Sequence, residues 1–140
     1  MMRTSRASIR AMTLIEVLAV VVILGLLAVT LVIGISGKMG KAKHEIARTQ
    51  MAQIVEQLET YKMEKHQYPS ASDGLAVLSA DPSSMYYLEP GKLNDPWGNP
   101  YQYIVPGPNG IPFEVVSLGS DGQPGGTGEA ADLSSADLTK

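Results

Sequence analysis

The carboxylate of Glu16 is the first side chain in this sequence whose chemistry needs an explanation. Residues 17–37, directly after it, contain no charged residue. A lone acid at the head of an apolar helix is costly and calls for a partner. The positive end of the helix dipole is one such partner. A free α-amino group would be a second, if the residues before Met12 were removed, either on this chain or on a neighbouring copy.

A second group of acids lies in a glycine-rich segment, residues 118–132. Its carboxylates are those of Asp121, Glu129 and Asp132. Carboxylates and the main-chain carbonyls that flexible glycines expose are the hard oxygen ligands that calcium prefers, although the spacing of an EF-hand loop is missing. The segment also has few apolar groups, and we expect little packing after Gly119. From these residues alone, a calcium loop and a disordered acidic tail fit equally well.

No constellation of catalytic residues is present. The sequence has no cysteine and only two histidines, and it lacks nucleophile-elbow, phosphate-loop and HExxH motifs. The one histidine next to an acid, His44 beside Glu45, has Lys41, Lys43 and Arg48 as neighbours. We interpret this pair as part of a solvated helix face. The chain is therefore predicted not to be an enzyme.

The charge distribution excludes a second class of function. The net charge of the 140 residues is −3, but the first ten residues hold Arg3, Arg6 and Arg10 and no acid, whereas the C-terminal half is acidic. Binding to nucleic acid needs clustered basic residues that displace counterions. We therefore expect no nucleic-acid partner.

A chain of this length has room for one small domain and one long element.

One long helix is predicted over residues 12–65. Its first half is uncharged over roughly the 20 residues that cross a bilayer core. In its second half Ala47, Met51, Ile54 and Leu58 recur at spacings of three and four, which is typical of an amphipathic helix. No proline occurs before Pro69, which ends the helix because the preceding residue avoids the helical region.

Turns and short strands are predicted for the rest of the chain. Residues 101–105 and 113–117 have the composition of strands, and the proline- and glycine-rich residues 106–110 between them indicate a hairpin turn. The fold class is α+β, with a long N-terminal helix packed on a small antiparallel sheet.

The N-terminal pattern resembles the processing site of type IV prepilins and type II secretion pseudopilins. The resemblance implies that a membrane peptidase cuts between Ala11 and Met12 and methylates the new N-terminus at Met12. Glu16 becomes the fifth residue of the mature chain and registers each incoming subunit during assembly. Ala11 stands where the family usually has glycine, and Met12 stands where phenylalanine is commonest.

A second resemblance narrows the family. The run Asp-Pro-Trp-Gly-Asn-Pro-Tyr at residues 95–101, followed by Ser-Leu-Gly-Ser-Asp-Gly at residues 117–122, is similar to the major pseudopilin of type II secretion, the G type. In physical terms the first run is a tight double turn in which two prolines fix φ and Trp97 pins the turn to the helix. Trp97, Tyr101 and Tyr103 are expected in the core.

The same resemblance implies a calcium site in the glycine-rich loop, because major pseudopilins bind calcium there. It assigns Asp121 and Asp132 as acidic ligands and the carbonyls of Leu118 and Thr127 as main-chain ligands. Glu129 is a weaker candidate, since family members vary at that position.

Three segments and one function follow from the resemblance. Residues 1–11 are a cleaved basic leader, residues 12–37 the membrane-spanning and filament-core half of the helix, and residues 38–140 a periplasmic domain with a pilin-like fold. The implied function is that of a structural subunit of the type II secretion pseudopilus, stored in the bacterial inner membrane. The implied partners are other copies of the chain, minor pseudopilins, the inner-membrane assembly platform and the prepilin peptidase.

Several alternatives share some of these features. A Sec signal peptide or a plain signal anchor would also have a basic start and an apolar run, although the uncharged run is longer than the ~7–15 residues of a typical signal peptide. A minor pseudopilin or a type IV pilin would share the N-terminus. A simple membrane-anchored periplasmic domain would need neither the cut nor Glu16.

Overall fold

The computed structural model describes the backbone of residues 12–138, and the side chains of residues 12–30 and 39–138. The predicted leader and the cleavage position at Ala11 lie outside the described residues. The chain divides into two compact units, Met1–Gly37 and Lys38–Lys140. Helix α1, Leu14–Lys65, belongs to both units, and the strands belong to the second.

Helix α1 begins and ends at local signals in the sequence. The Thr13 hydroxyl accepts a hydrogen bond from the backbone N–H of Glu16 at 3.4 Å, the arrangement of a side chain that caps a helix start. At the other end, the His66 N–H donates to the Lys62 carbonyl at 2.7 Å, and His66 has a φ of 62°. A left-handed residue directly after the last turn stops the helix. The predicted helix over residues 12–65 is confirmed.

The described side chains of the first unit form no core. Leu14 is 87% exposed and Ile15 is 76% exposed, and the apolar side chains onward to Val29 are exposed as well. Within the residues whose placement is described, no helix is both long enough and apolar enough to span a membrane.

The second unit has the hydrophobic core. The predicted stripe of α1 is confirmed, since Ala47, Met51, Ile54 and Leu58 are fully buried. The side chains that pack against Met51, Ile54 and Leu58 come from the turns and strands that follow: Leu75, Leu78, Tyr86, Leu88, Tyr101, Phe113 and Val115. A short 3-10 helix, Leu75–Ser79, delivers the first two of these.

The sheet has three antiparallel strands in the part of the chain that the structure describes. They are β1 (Gln102–Ile104), β2 (Glu114–Ser117) and β3 (Leu133–Ser134), in that order across the sheet. Strands β1 and β2 form the predicted hairpin, with Tyr103 opposite Val115.

The expectation of little packing after Gly119 is wrong. Strand β3 adds to β2, with Val116 opposite Ser134. The buried Ser135 hydroxyl accepts the Val115 N–H at 2.9 Å, and the half-buried Leu133 and Leu138 pack against the core. Ser135 packs against β2 because the buried N–H of Val115 needs a partner, and the Ser135 hydroxyl supplies one.

Candidate functional site: the glycine-rich loop and the start of the helix

The start of helix α1 presents one acid in an apolar surround. Glu16 is the acidic residue in the first turn, and its neighbours Leu14, Ile15, Val17 and Leu18 are all exposed. A carboxylate in this turn is favoured by the positive end of the helix dipole. The α-amino group expected from cleavage would arise at Met12, one turn before Glu16.

The turn over residues 95–101 is built around a buried carboxylate. Asp95 is 5% exposed. Its Oδ1 accepts the N–H of Trp97 at 3.1 Å and the N–H of Asn99 at 2.8 Å. Its Oδ2 accepts the hydroxyl of the fully buried Ser117 at 2.7 Å. Three donors replace the water that this carboxylate lost on burial, so Asp95 ties the turn to strand β2.

Trp97, in the same turn, contacts helix α1. The Trp97 ring meets the His44 ring edge-on, with 5.0 Å between the ring centroids. His44 is half-buried, and its Nδ1 lies 3.0 Å from the Gly40 carbonyl oxygen. The interpretation of His44 as part of a solvated face is therefore wrong, whereas Glu45 is exposed as expected. Trp97 pins the turn to the helix, as predicted, but it is only half-buried and outside the core cluster, so the expectation that it lies in the core is wrong.

Two tyrosines follow in the sequence. Tyr101 lies in the core and Tyr103 packs against it, as predicted. The Tyr101 hydroxyl donates to Gln50 Oε1 at 2.8 Å and lies 3.3 Å from the Ala47 carbonyl oxygen. Burial, and then the Asp95 charge, raise the pKa of Tyr101 above its usual range. Burial also raises the pKa of Tyr103 to about 12. Both hydroxyls are therefore neutral hydrogen-bond donors.

The glycine-rich loop folds back on itself. A Cβ atom added to Gly119 would lie 2.8 Å from the Glu129 carbonyl oxygen and 2.9 Å from that of Ala130. A Cβ added to Gly126 would overlap the Ala130 carbonyl as well. Both glycines have positive φ, 64° and 88°. Only glycine permits this conformation and this close approach without strain, so the two ends of the loop are held together.

Two carboxylates of the loop accept hydrogen bonds from backbone N–H groups of the same loop. Asp132 Oδ2 accepts the Gly125 N–H at 2.8 Å, and Asp121 Oδ1 accepts the Gln123 N–H at 3.1 Å. Both acids are exposed. Each therefore retains a second carboxylate oxygen facing water.

The five predicted calcium ligands are distributed unevenly. Asp121, Thr127 and Asp132 are exposed parts of the loop, and Leu118 is buried at its entry. The fifth, Glu129, directs its side chain toward α1, where a Cβ atom added to Gly40 would overlap it. Within the described residues, no three acidic or histidine side chains converge as a metal-ligand cluster. The donor chemistry is nonetheless of the type that a hard cation prefers, since Asp121 and Asp132 are exposed carboxylates in one loop with exposed main-chain carbonyls.

Two of these contacts could not be predicted from the sequence. The Asp95 hydrogen bonds to the distant Ser117, and the approach of Glu129 to Gly40, depend on how separate segments meet. Two weak signals exist in retrospect. Asp95 heads a run with two prolines and a glycine, and Gly40 interrupts the helix where a larger residue would have higher helix propensity.

Comparison with known proteins places this geometry in a class. The fold matches the crystal structure of the major pseudopilin from the type 2 secretion system of enterohaemorrhagic Escherichia coli, with a TM-score of 0.58 at 24% identity. The match covers 75% of this chain and 94% of that one. A long helix on a small antiparallel sheet, closed by a loop, is thus a pilin-like fold.

Sequence comparisons identify the family. The profile of the family described as Type II secretion system (T2SS), protein G, matches residues 34–136. The Type II secretion system core protein G of Pseudomonas aeruginosa is 40% identical over 133 residues, covering 89% of this chain and 93% of that protein. The protein of the same name from Vibrio cholerae is 41% identical over 128 residues, covering 86% of this chain and 87% of its own length. The chain belongs to the type II secretion protein G family, which confirms the recognition made from the sequence.

Proposed function

We propose that this chain is a structural subunit of the type II secretion pseudopilus, a helical filament that grows from the inner membrane into the periplasm. The observation that carries the proposal is the start of helix α1, where exposed apolar side chains surround the single acid Glu16. Such a surface is too apolar to remain in water and must be covered. Family membership supports a filament as what covers it.

The apolar half of α1 has two suitable environments. In the stored state, residues 12–37 lie in the lipid bilayer. In the filament, the same side chains pack against the corresponding helices of neighbouring copies. An exchange of lipid for protein contacts of similar polarity needs no hydrolysis within the subunit, so a separate motor must drive it. The contacts between copies are head-to-tail and do not close on themselves, which generates a helical filament.

Glu16 sets the register of each incoming copy. A prepilin peptidase removes residues 1–11, cutting between Ala11 and Met12, and methylates the amino group of Met12. That amino group is a cation in an apolar setting, and Glu16 of an adjacent copy is the anion that compensates it. Two opposite charges attract strongly where water is excluded, and an unpaired charge there is costly. Only one axial offset between two helices pairs these groups.

The glycine-rich loop binds calcium. Asp121 and Asp132 supply carboxylate oxygens, and Leu118 and Thr127 supply main-chain carbonyls. Bound calcium would neutralise the two acids and hold the loop against strand β2. Because the unfolded chain lacks this arrangement, calcium stabilises the folded subunit by linkage. Minor pseudopilins, the inner-membrane assembly platform and the prepilin peptidase are its partners.

Substitution of Glu16 tests the filament role. We expect Glu16→Leu to remain in the membrane fraction while the filament yield falls to background, measured by electron microscopy of cells producing the complete secretion machinery. Glu16→Gln, which keeps the size and removes the charge, should also lose assembly, whereas Glu16→Asp should retain part of it. Wild-type filament yield from Glu16→Leu would refute the assigned role of the carboxylate.

A further inference from the structure

The side chain of Asn99 is the direct link between the turn over residues 95–101 and the glycine-rich loop. Its Nδ2 donates to the Gly119 carbonyl oxygen at 2.7 Å. The carbonyl accepts only, so the amide nitrogen of Asn99 must face it. The same amide group also lies close to Gly122, where a Cβ added to that glycine would lie 3.2–3.5 Å from the amide atoms of Asn99. One side chain thus bonds to Gly119 and lies beside Gly122.

Asn99 is itself held rigidly. Its backbone N–H donates to Asp95 Oδ1 at 2.8 Å, and its carbonyl accepts the Asp95 N–H, also at 2.8 Å. Asp95 is in turn fixed by the hydroxyl of the buried Ser117. A hydrogen-bond chain therefore runs from strand β2 through Asp95 and Asn99 to Gly119, the glycine next to Leu118.

Gly119 and Gly122 lie at the two ends of the segment that enters the loop. Gly119 and Gly122 both have positive φ, 64° and 65°, and Asp121 lies between them. The Gly119 carbonyl oxygen accepts the hydrogen bond from Asn99. Its orientation is fixed by that bond, and with it the path of the chain from Leu118 to Asp121. A ligand side chain that is pre-positioned loses less conformational entropy when it binds.

We propose that Asn99 is a positioning residue for calcium, acting through the main chain of residues 119–122 rather than as a ligand. This inference rests on the calcium site proposed above and assigns the neighbouring turn a role in it. The hydrogen-bonded pair Asp95 and Asn99 fixes the main chain of residues 119–122. The Asp121 side chain is therefore oriented for calcium before calcium binds. A purely structural role for Asn99 would instead stabilise the domain equally with and without calcium.

Calcium titration of Asn99→Ala separates these two roles. The full chain, with detergent covering its apolar helix half, is titrated with calcium by calorimetry and melted in calcium and in chelator. We expect the calcium Kd of Asn99→Ala to rise at least about tenfold, while its melting midpoint in chelator falls by no more than about 5 °C. The matched control is Asn94→Ala, since Asn94 is an exposed asparagine one residue before the turn. It should keep the wild-type Kd.

Each outcome decides a different point. An unchanged Kd in Asn99→Ala, with calcium binding intact in the wild type, overturns the positioning role and leaves the calcium site standing. No calcium binding by the wild type removes the calcium site itself. If Asn99→Ala does not fold, Asn99→Ser replaces it, because the serine side chain is too short to reach the Gly119 carbonyl and the same loss of affinity is expected.

Discussion

The Glu129 side chain packs directly against Gly40 of helix α1, so closely that a Cβ atom at Gly40 would overlap it. Gly40 is buried, and its carbonyl oxygen also contacts His44. The glycine-rich loop is therefore seated on the helix through a glycine in the helix and a glutamate in the loop. This contact gives Glu129 a packing role and directs its carboxylate to the helix.

A double-mutant cycle measures this contact. Gly40→Ala alone gains helix propensity of up to about 1 kcal/mol but displaces the Glu129 side chain. In a Glu129→Ala background the displacement cost is absent, so Gly40→Ala should be stabilising there by nearly the whole propensity gain. We expect a coupling of about 0.5–1 kcal/mol between the two sites, from urea unfolding in chelator. Trp97, the only tryptophan, is the fluorescent reporter. Additive effects would show that the two residues do not interact.

Removal of the Asp95 carboxylate should be among the most damaging changes in the second unit. Asp95→Ala leaves two backbone N–H groups and the Ser117 hydroxyl without their acceptor, which costs about 2–4 kcal/mol of unfolding free energy. Ser117→Ala removes one hydrogen bond and should cost about 1 kcal/mol. Urea unfolding of both variants checks the ranking. A loss below about 0.5 kcal/mol for Asp95→Ala would contradict the role of Asp95 as the centre of the turn.

The raised pKa values of Tyr101 and Tyr103 predict that the free energy of unfolding falls at alkaline pH. The pKa of Tyr103 is raised to about 12 by burial, and the pKa of Tyr101 is raised by burial and by Asp95. The unfolded chain ionises these hydroxyls near pH 10. A raised pKa in the folded state stabilises the protein fully below pH 10, and this contribution is lost as pH rises through the folded pKa.

Unfolding free energy measured between pH 8 and pH 12 tests this prediction. Below about pH 10 the tyrosines should contribute no slope, and above it stability should fall. Tyr101→Phe should be less stable by about 1 kcal/mol near neutral pH, because Gln50 loses its donor. It should also show a shallower alkaline decline than the wild type. An equally steep decline in Tyr101→Phe would mean that Tyr101 does not titrate with unfolding.

Calcium should raise the thermal stability of the subunit. We expect a higher melting midpoint in calcium than in chelator, with the difference growing with the logarithm of the free calcium concentration. Asp132→Ala and Asp121→Ala should each abolish most of this difference, because each removes a proposed carboxylate ligand. Asp81→Ala is the matched control, since Asp81 is an exposed acid outside the loop. Identical wild-type midpoints in calcium and in chelator would remove the calcium site.

Local patterns in the sequence were sufficient for much of the fold. The three- and four-residue spacing of Met51, Ile54 and Leu58 predicted the buried face of α1, because helix periodicity is a local property. The prolines and glycines of residues 106–110 predicted the hairpin for the same reason. Strand β3 was missed because Leu133 and Ser134 are too short a run to show alternation, and their order depends on pairing with β2.

The residues of the candidate site could be proposed from the sequence, whereas the contacts that connect them could not. The glycines and acids of residues 118–132 indicate oxygen ligands by their chemistry. The bond from Asn99 to Gly119, and the hydroxyl of Ser117 on Asp95, join segments far apart in the sequence. Side-chain directions at such contacts are set by tertiary packing, which no single-sequence pattern encodes. For the same reason His44 was placed in solvent when it lies against Trp97.

The intact mass of the chain, isolated from the membranes of the cell that naturally produces it, tests the central claim most directly. The proposed filament role requires a cut before Met12, because only the cut creates the amino group that Glu16 is proposed to pair with. The account predicts a mass equal to residues 12–140 plus one methyl group. An uncut, unmethylated chain would contradict it, and would leave Glu16 as an unpaired acid on a simple membrane anchor.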